Sequence, residues 1–410
     1  MKLQVIVRFN PFSESAASAN RWRTLIEGLN NLGAKVELLI YGGFQSDEEA
    51  EAWKIADNKN GIAYKYISTQ LIQGYWKRRY YTYIGEKLRE GRLIKLILKE
   101  LYNKEGIVWT DSSHFAFKLT VCLKENLHNK KIFLEMSEYL VIHKYNKGNL
   151  LQKWKADKRQ KYFERRAFFY YDGLALMTKT LYKHYNEFHK PGPKLLHLPM
   201  TVDLNRFDQA FEPVKGFVSP YIVFVGVMND AKDGVNILIE AFSKIHPRFP
   251  DYKLYLVGPW NYDTPTHRQM IGNLGLEQKV FYMGEYQRDT IPAILKNASL
   301  LVLPRPDSKQ AQGGFPTKLG EYLATGNPVC ATTVGEIPDY LVDGESVYFA
   351  EPGSVDSFAN AMEQALGNTE QAKRVGANGR KVAETHFNKD IQAKMLYDFL
   401  KENLQTNNNK

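Results

Sequence analysis

The stretch Leu301 to Gly335, LVLPRPDSKQAQGGFPTKLGEYLATGNPVCATTVG, constrains the fold most, because it reads as strand, Gly-rich loop, short helix and strand in direct succession. The apolar run Ser299 to Leu303 stops at Pro304 and Pro306, which suits a buried parallel strand ending at a loop. Gly313 and Gly314 permit close backbone approach, and Pro316 with Thr317 supplies helix-start chemistry. A helix from Thr317 to Thr325 would close at Gly326, with Pro328 just beyond. Its open N-terminus favours an anion, and Lys318 adds a full charge in the first turn. Glu321 lies one turn further on, where a carboxylate can accept hydrogen bonds from the vicinal hydroxyls of a ribose. A phosphate and a ribose together suggest a nucleotide diphosphate.

Strand and helix patterns alternate along the rest of the chain. KLQVIVR (Lys2 to Arg8) predicts a buried strand, Asn20 to Leu32 a helix ended by Gly33, and Lys35 to Tyr41 a second strand. Further strands are expected at 63–67, 107–110, 131–136 and 173–177, with helices around 80–101, 115–126 and 152–170. A second series begins at Tyr221 to Gly226, continues through a helix at 235–245 and strands at 251–257, 280–283 and 347–349, and ends in helices at 355–366, 372–385 and 390–404. At 410 residues and 44% apolar composition, two α/β domains with proper cores are expected, 1–200 and 201–389.

From Glu321 to Val329, EYLATGNPV, and from Val334 to Asp339, VGEIPD, the chain resembles the retaining glycosyltransferases of family four, glycosyl transferases group 1. Their signature is a Gly-rich loop and a helix bearing two glutamates, followed by runs like these. The first glutamate is replaced by Gly313. The resemblance implies the GT-B fold, two doubly wound Rossmann-like domains facing across a cleft, with helix 390–404 packing back on the first.

It also implies roles for particular residues. Relatives grip the diphosphate with an Arg after the glycine of the loop corresponding to 226–234 and a Lys five positions later. Here Val227 stands at the Arg position and Lys232 is kept, so Lys232, Arg305 and Lys318 are the expected diphosphate cations. The remaining donor-site residues are Gly226, Gly284, Gly313, Gly314, Phe315, Pro316, Thr317 and Glu321, with Tyr282 and Tyr286 beside the base or in the core. In the first loop the family's glycine pair is replaced by small residues. Ser15 and Ser18 there are either acceptor-side contacts or helix caps. Ser137 takes the place of a common His near the reacting sugar, leaving Glu138 as the ionisable group. His114, at another strand end, is either a second such group or a capping residue.

The net charge of +10 is concentrated in two stretches: 64–104 holds 10 basic against 3 acidic residues, and 144–166 holds 9 against 2. Together they net +14, leaving −4 for the rest, so the basic character belongs to the first domain. Around Trp76, Arg78 and Trp154 aromatic and cationic groups interleave, as on a surface for anionic lipid or a phosphate-bearing acceptor, or on a plain solvated helix. No nucleic-acid motif accompanies them. Two distant cysteines, Cys122 and Cys330, and an N-terminal apolar run of only three residues favour a cytoplasmic protein, peripheral on a membrane at most.

The function implied is metal-independent transfer of a sugar from a nucleotide diphosphate sugar to a glycan or lipid-linked acceptor, with retention, in cell-surface glycan synthesis. No cofactor is expected, and no two aspartates are separated by a single residue. The alternatives are an inactive homologue serving as a binding protein and a nucleotide-sugar 2-epimerase.

Overall fold

The computed structural model describes residues 1–13, 17–55, 58–59, 61–80, 84–140, 149–188 and 190–405. It divides into two compact units, Met1–Leu198 with Gln392–Lys410, and Pro199–Ile391.

Unit 1 is built on strands β1 (Lys2–Val7), β2 (Lys35–Ile40), β3 (Asn58–Lys59), β4 (Ile62–Tyr66), β5 (Ile107–Thr110), β6 (Lys131–Met136), β7 (Gly173–Leu176) and β8 (Lys194–His197). They form one sheet in the order β3-β4-β2-β1-β5-β6-β7-β8, parallel throughout except where β3 pairs antiparallel with β4. Continuous apolar runs such as KLQVIV make strands buried on both faces. Ile6 and Val108 face one core with Phe117 and Phe163, whereas Val5 and Trp109 face the other with Leu25 and Ile26. The second of those cores also holds Leu396 and Leu400 of the terminal helix Lys389–Gln405.

Unit 2 has strands β9 (Tyr221–Val225), β10 (Lys253–Val257), β11 (Val280–Gly284), β12 (Leu300–Leu303), β13 (Val329–Thr332) and β14 (Tyr348–Ala350). Their order is β11-β10-β9-β12-β13-β14, and every pairing is parallel. The chain leaves β9 toward β10 and returns on its other side as β12. That reversal puts the topological switch point, the usual ligand crevice of an open α/β sheet, at the carboxyl ends of β9 and β12.

Two expected helices differ in their bounds. For the segment 80–101 the described residues give the helix Glu86–Leu101, with Tyr75–Tyr80 also helical, and the segment reaching Tyr170 ends at Arg165 before a tighter turn, Ala167–Tyr170. Helices at Asp47–Ile55, Lys179–Phe188, Thr264–Asn273, Ile291–Lys296 and Lys309–Gly313 were not expected. Each is ten residues or shorter, too brief for apolar periodicity to stand out from a loop.

Candidate functional site

At the switch point of unit 2 the loop after β9 is fixed by side chains. Asn229 accepts a hydrogen bond from the Lys232 backbone N–H at 3.0 Å, and the chain turns through left-handed Gly234, φ +67°. The Asp230 carboxylate accepts from the Asn236 N–H at 3.0 Å and meets the buried His267 ring at 2.7 Å. Gly226 is a close-approach glycine: a Cβ there would collide with Lys318 Nζ and come within 2.9 Å of the Phe224 ring. A Cβ at Gly258, φ +149°, would in turn strike the Gly226 carbonyl. Only residues without side chains let these two strand ends and the lysine converge.

Lys318 lies beneath Gly226. Its ammonium donates to Asp233 Oδ1 at 2.6 Å and stands 4.5 Å from the centre of the Phe224 ring. Burial pulls its pKa below the ordinary lysine value; the Asp233 carboxylate opposes that shift, while the nearby Arg305 and Lys232 add to it. Arg305 and Lys232 are therefore both within electrostatic reach of Lys318, which is itself paired with a buried carboxylate. Arg305 follows β12, is 5% exposed, and its carbonyl accepts from Thr332 Oγ1 at 2.6 Å. Val227, on the same loop, is an exposed side chain with no charge to contribute.

The helix Thr317–Thr325 forms as the sequence suggests and closes at left-handed Gly326, φ +76°. Pro316 precedes it and gives no side-chain cap, and the Leu319 N–H of the first turn donates to the Pro316 carbonyl at 2.9 Å. The segment before it is a correction. Residues Lys309–Gly313 are helical, capped by Ser308, and Gly314 is plainly extended (φ −127°, ψ 161°), a conformation open to any residue. Gly313, Gly314, Phe315 and Pro316 are buried, with Phe315 packed on Tyr340 and Phe387.

Glu321 is already partnered. Arg206 donates to its Oε1 at 2.8 Å and to the Arg288 carbonyl at 2.6 Å, so one carboxylate oxygen is held in place before any ligand arrives. Tyr322, fully buried, accepts from the Val225 N–H at 2.8 Å and pins the helix to the end of β9. Gly284, φ +73°, ends β11 two strands away, and its carbonyl accepts from the Gly258 N–H at 2.8 Å. Tyr282 lies 6.1 Å from the Trp260 ring and Tyr286 5.8 Å from Phe217, so both are ring-packed. Asp233, Arg206 and Tyr322 were missed in the sequence. The adjacent acid and base at Lys232-Asp233 was the one signal for the first.

In unit 1, His114 and Glu138 belong to the carboxyl-end loops of the neighbouring strands β5 and β6. His114 begins the helix His114–Asn126 but does not cap it. Ser113 does, accepting from the Ala116 N–H at 3.1 Å, and the His114 ring packs edge-on to Tyr162 at 5.3 Å. Beside Glu138 the buried acid is Glu135, joined to Arg21 at 2.5 Å, with Arg21 also donating to the Leu198 carbonyl at 2.8 Å. Burial pushes the Glu135 carboxyl up, against the pull of Arg21. Trp76 stands exposed on Tyr75–Tyr80. Ser15 and the side chains of Ser18 and Arg78 lie outside the described residues.

Within unit 2, then, the structure brings together Gly226, Lys232, Arg305, Lys318 and the start of the helix at Thr317. Residues 219–368, all in unit 2, match the family model of the glycosyl transferases group 1. MMP alpha-(1->4)-mannosyltransferase of Mycolicibacterium hassiacum is 26% identical over 198 residues, 48% of this chain and 46% of that protein. The chain thus spans about half the length of that relative, and of others it spans about a third to rather more than half. Among solved structures, sucrose-phosphate synthase of Thermosynechococcus elongatus superposes with a TM-score of 0.78 at 15% identity, covering 99% of both chains. Anabaena HepE in complex with UDP and glucose gives 0.71 at 13% identity over 98% of this chain and all of that one. At these identities the structural likenesses establish the GT-B fold.

Proposed function

We propose that this chain, whose residues 219–368 match the family model of the glycosyl transferases group 1, is a retaining glycosyltransferase whose donor is a nucleotide diphosphate sugar. One observation supports the reading: Lys232 and Arg305 lie within electrostatic reach of Lys318, itself paired with Asp233, at the switch point beside a helix start without a side-chain cap. Clustered cations and a helix N-terminus suit a diphosphate, whose negative charge grows as it departs. The matching of HepE to UDP and glucose and of the mycobacterial relatives to GDP-mannose supports a donor of this class without fixing base or sugar.

The bond from the sugar C1 to the phosphate oxygen breaks, and the acceptor oxygen bonds to C1 on the same face. The acceptor proton passes to the departing phosphate oxygen. The cations stabilise the charge that develops there, a term that needs no metal ion. Glu321, oriented by Arg206, holds the ribose hydroxyls. The acceptor is a glycan or a lipid-linked sugar bound by unit 1, where His114 and Glu138 are two of the ionisable groups at adjacent strand ends, and the work is done in the cytoplasm.

Thermal shift against UDP, GDP, ADP and TDP, with EDTA present, tests the donor site. A nucleotide at 100 times its dissociation constant adds about 2.7 kcal/mol, a shift of a few degrees. One nucleotide should stand out, and Lys232→Ala and Glu321→Ala should abolish its shift while melting normally alone. No shift from any nucleotide sinks the reading. Val227 and Gly313, where relatives carry Arg and Glu, favour one second reading, a protein that binds the nucleotide without transferring sugar. Release of nucleotide from the matching nucleotide sugar only when an acceptor extract is added separates the two.

A further inference from the structure

Among the described residues, all eight large apolar side chains of unit 1 that are at least half exposed fall in the two basic stretches, 64–104 and 144–166. The most exposed are Leu150 at 86%, Trp76 at 77% and Leu88 at 76%, and Leu151 and Trp154 follow Leu150 on the same helix. Stranding so much apolar surface in water is costly unless something covers it.

Leu88, Leu150, Leu151 and Trp154 share one end of the fold, whereas Tyr102 lies at the far end of its helix. The helices Glu86–Leu101 and Leu150–Arg165 lead into β5 and β7 of a parallel sheet, so each runs against the strands and begins at the carboxyl rim. Both flank the helix His114–Asn126. Glu90 pairs with Lys118 at 2.7 Å in its second turn, and the Arg159 guanidinium stacks 5.8 Å from its Phe117 ring. Arg159 also donates to the Ser112 carbonyl, in the turn just after β5. The helical residues before Arg159 therefore reach past the rim, by roughly 13 Å at 1.5 Å per residue. Leu150, Leu151 and Trp154 stand on that projection.

Its charge identifies the occupant. Lys153, Lys155 and Lys158 alternate with the apolar residues, Lys158 Nζ lying 5.3 Å from the Trp154 ring centre, and Asp157 is drawn to Lys161 at 2.7 Å. On the other helix, Arg89, Arg92 and Lys95 are exposed beyond Leu88. A second copy of this rim would repel it, and a nucleic acid would leave the leucine pair in water. A bilayer with anionic headgroups accepts both components: aliphatic and indole groups enter the headgroup–acyl boundary while lysine and arginine stems reach back to the phosphates. No helix among the described residues is long and apolar enough to cross a membrane.

We propose that the carboxyl rim of unit 1 docks on an anionic lipid surface, with Leu150, Leu151 and Trp154 as its apolar anchor and Lys153, Lys155 and Lys158 as its electrostatic contact. This goes beyond sugar transfer and does not depend on it. If both hold, the rim bearing His114 and Glu138 faces the membrane, and the acceptor is a lipid-borne glycan.

Sedimentation of the full chain with phosphatidylcholine vesicles, with and without phosphatidylglycerol, tests the docking. Binding should require the anionic lipid and should weaken when salt is raised well above roughly 0.1 M. Leu150→Ser with Leu151→Ser and Trp154→Ser should lower the partition coefficient at least about tenfold, since each buried side chain is worth about that much. Lys153→Gln with Lys155→Gln and Lys158→Gln, which leaves the apolar residues in place, should lower it by a similar factor and flatten the salt dependence. An unchanged melt, and an unchanged nucleotide shift where one exists, show that the variants fold. Failure to sediment with anionic vesicles overturns the proposal, as does equal partition of the apolar variant. A wild-type dimer that the apolar variant returns to monomer, without vesicle binding, would assign the face to a second copy instead.

Discussion

Two buried ion pairs, one in each unit, set the chemistry at single residues. Asp233 compensates Lys318 among cations that disfavour its charge, so removing the carboxylate should lower the lysine pKa further. A lysine whose folded pKa is lowered loses its proton as pH rises through that value, and with it the attraction for a diphosphate. Asp233→Asn should therefore bind nucleotide about as well as the parent near pH 6.5 and lose affinity progressively toward pH 9, over a range where the parent loses less. Calorimetric titration across that range measures this, and parallel pH profiles would show that Asp233 does not tune Lys318. Arg21 and Glu135 present the opposite sign. Burial raises the Glu135 carboxyl, and Arg21 restrains the rise. Arg21→Met leaves the carboxylate uncompensated, at a cost of about 3–5 kcal/mol. A carboxyl with a raised folded pKa contributes most to stability below its unfolded value and loses that contribution as pH climbs through the folded one. The variant should accordingly lose more stability at pH 8 than at pH 5, as read by denaturant melts at both.

Secondary elements follow rules that a sequence shows only in part. The helix Thr317–Thr325 was legible to the residue, because Pro-Thr opens it and Gly-Asn-Pro closes it through local chemistry. The helix Lys309–Gly313 was not, because Gly-Gly reads as a loop, and what fixes it is the Ser308 cap together with burial beneath the neighbouring residues. The site divides along the same line. Lys232 was named through the family resemblance and Glu321 through its place on the helix, whereas Asp233 and Arg206 are defined by partners 85 and 115 positions away, a separation that no local pattern encodes. Glycines make the point measurable. Gly91 and Gly376 are both helix-interior glycines, alike in sequence terms. A Cβ at Gly91 meets nothing within 4 Å, so Gly91→Ala should stabilise by up to about 1 kcal/mol through helix propensity. At Gly376 it would strike the Gly326 carbonyl and lie 2.6 Å from the Asn327 carbonyl carbon, backbone that cannot swing aside. Overpacking of about 1–3 kcal/mol or more then outweighs the same propensity gain, and Gly376→Ala should lower the melting temperature. Matching signs in the two melts would contradict this account of close helix-to-turn packing.

For the whole molecule, the consequential fact is that the units are not built from consecutive halves of the chain. Unit 2 is one continuous segment from Pro199 to Ile391, whereas unit 1 is completed only by residues from Gln392 onward. Leu396 and Leu400 are fully enclosed in the core formed by Leu3, Val5, Leu25 and Trp109, and Phe399 packs on Phe133 with ring centres 5.7 Å apart. Even Gly173 is shaped by that helix, since a Cβ there would come within 2.8 Å of the Phe399 ring. The first domain of this chain therefore finishes folding only after the second has been synthesised. Ending the chain at Ile391 removes two fully buried leucines, worth about 1.5–3 kcal/mol each, and opens one face of the first sheet to water. The truncated protein should show an earlier, separate melting of unit 1, while unit 2, whose core lies wholly within 199–391, keeps the nucleotide-dependent shift of its own transition. Differential scanning calorimetry with and without nucleotide reads the two events. Loss of the nucleotide shift on truncation would mean that the phosphate crevice depends on the terminal helix. Its retention beside a weakened first transition would place the donor site and its stability within one continuous segment.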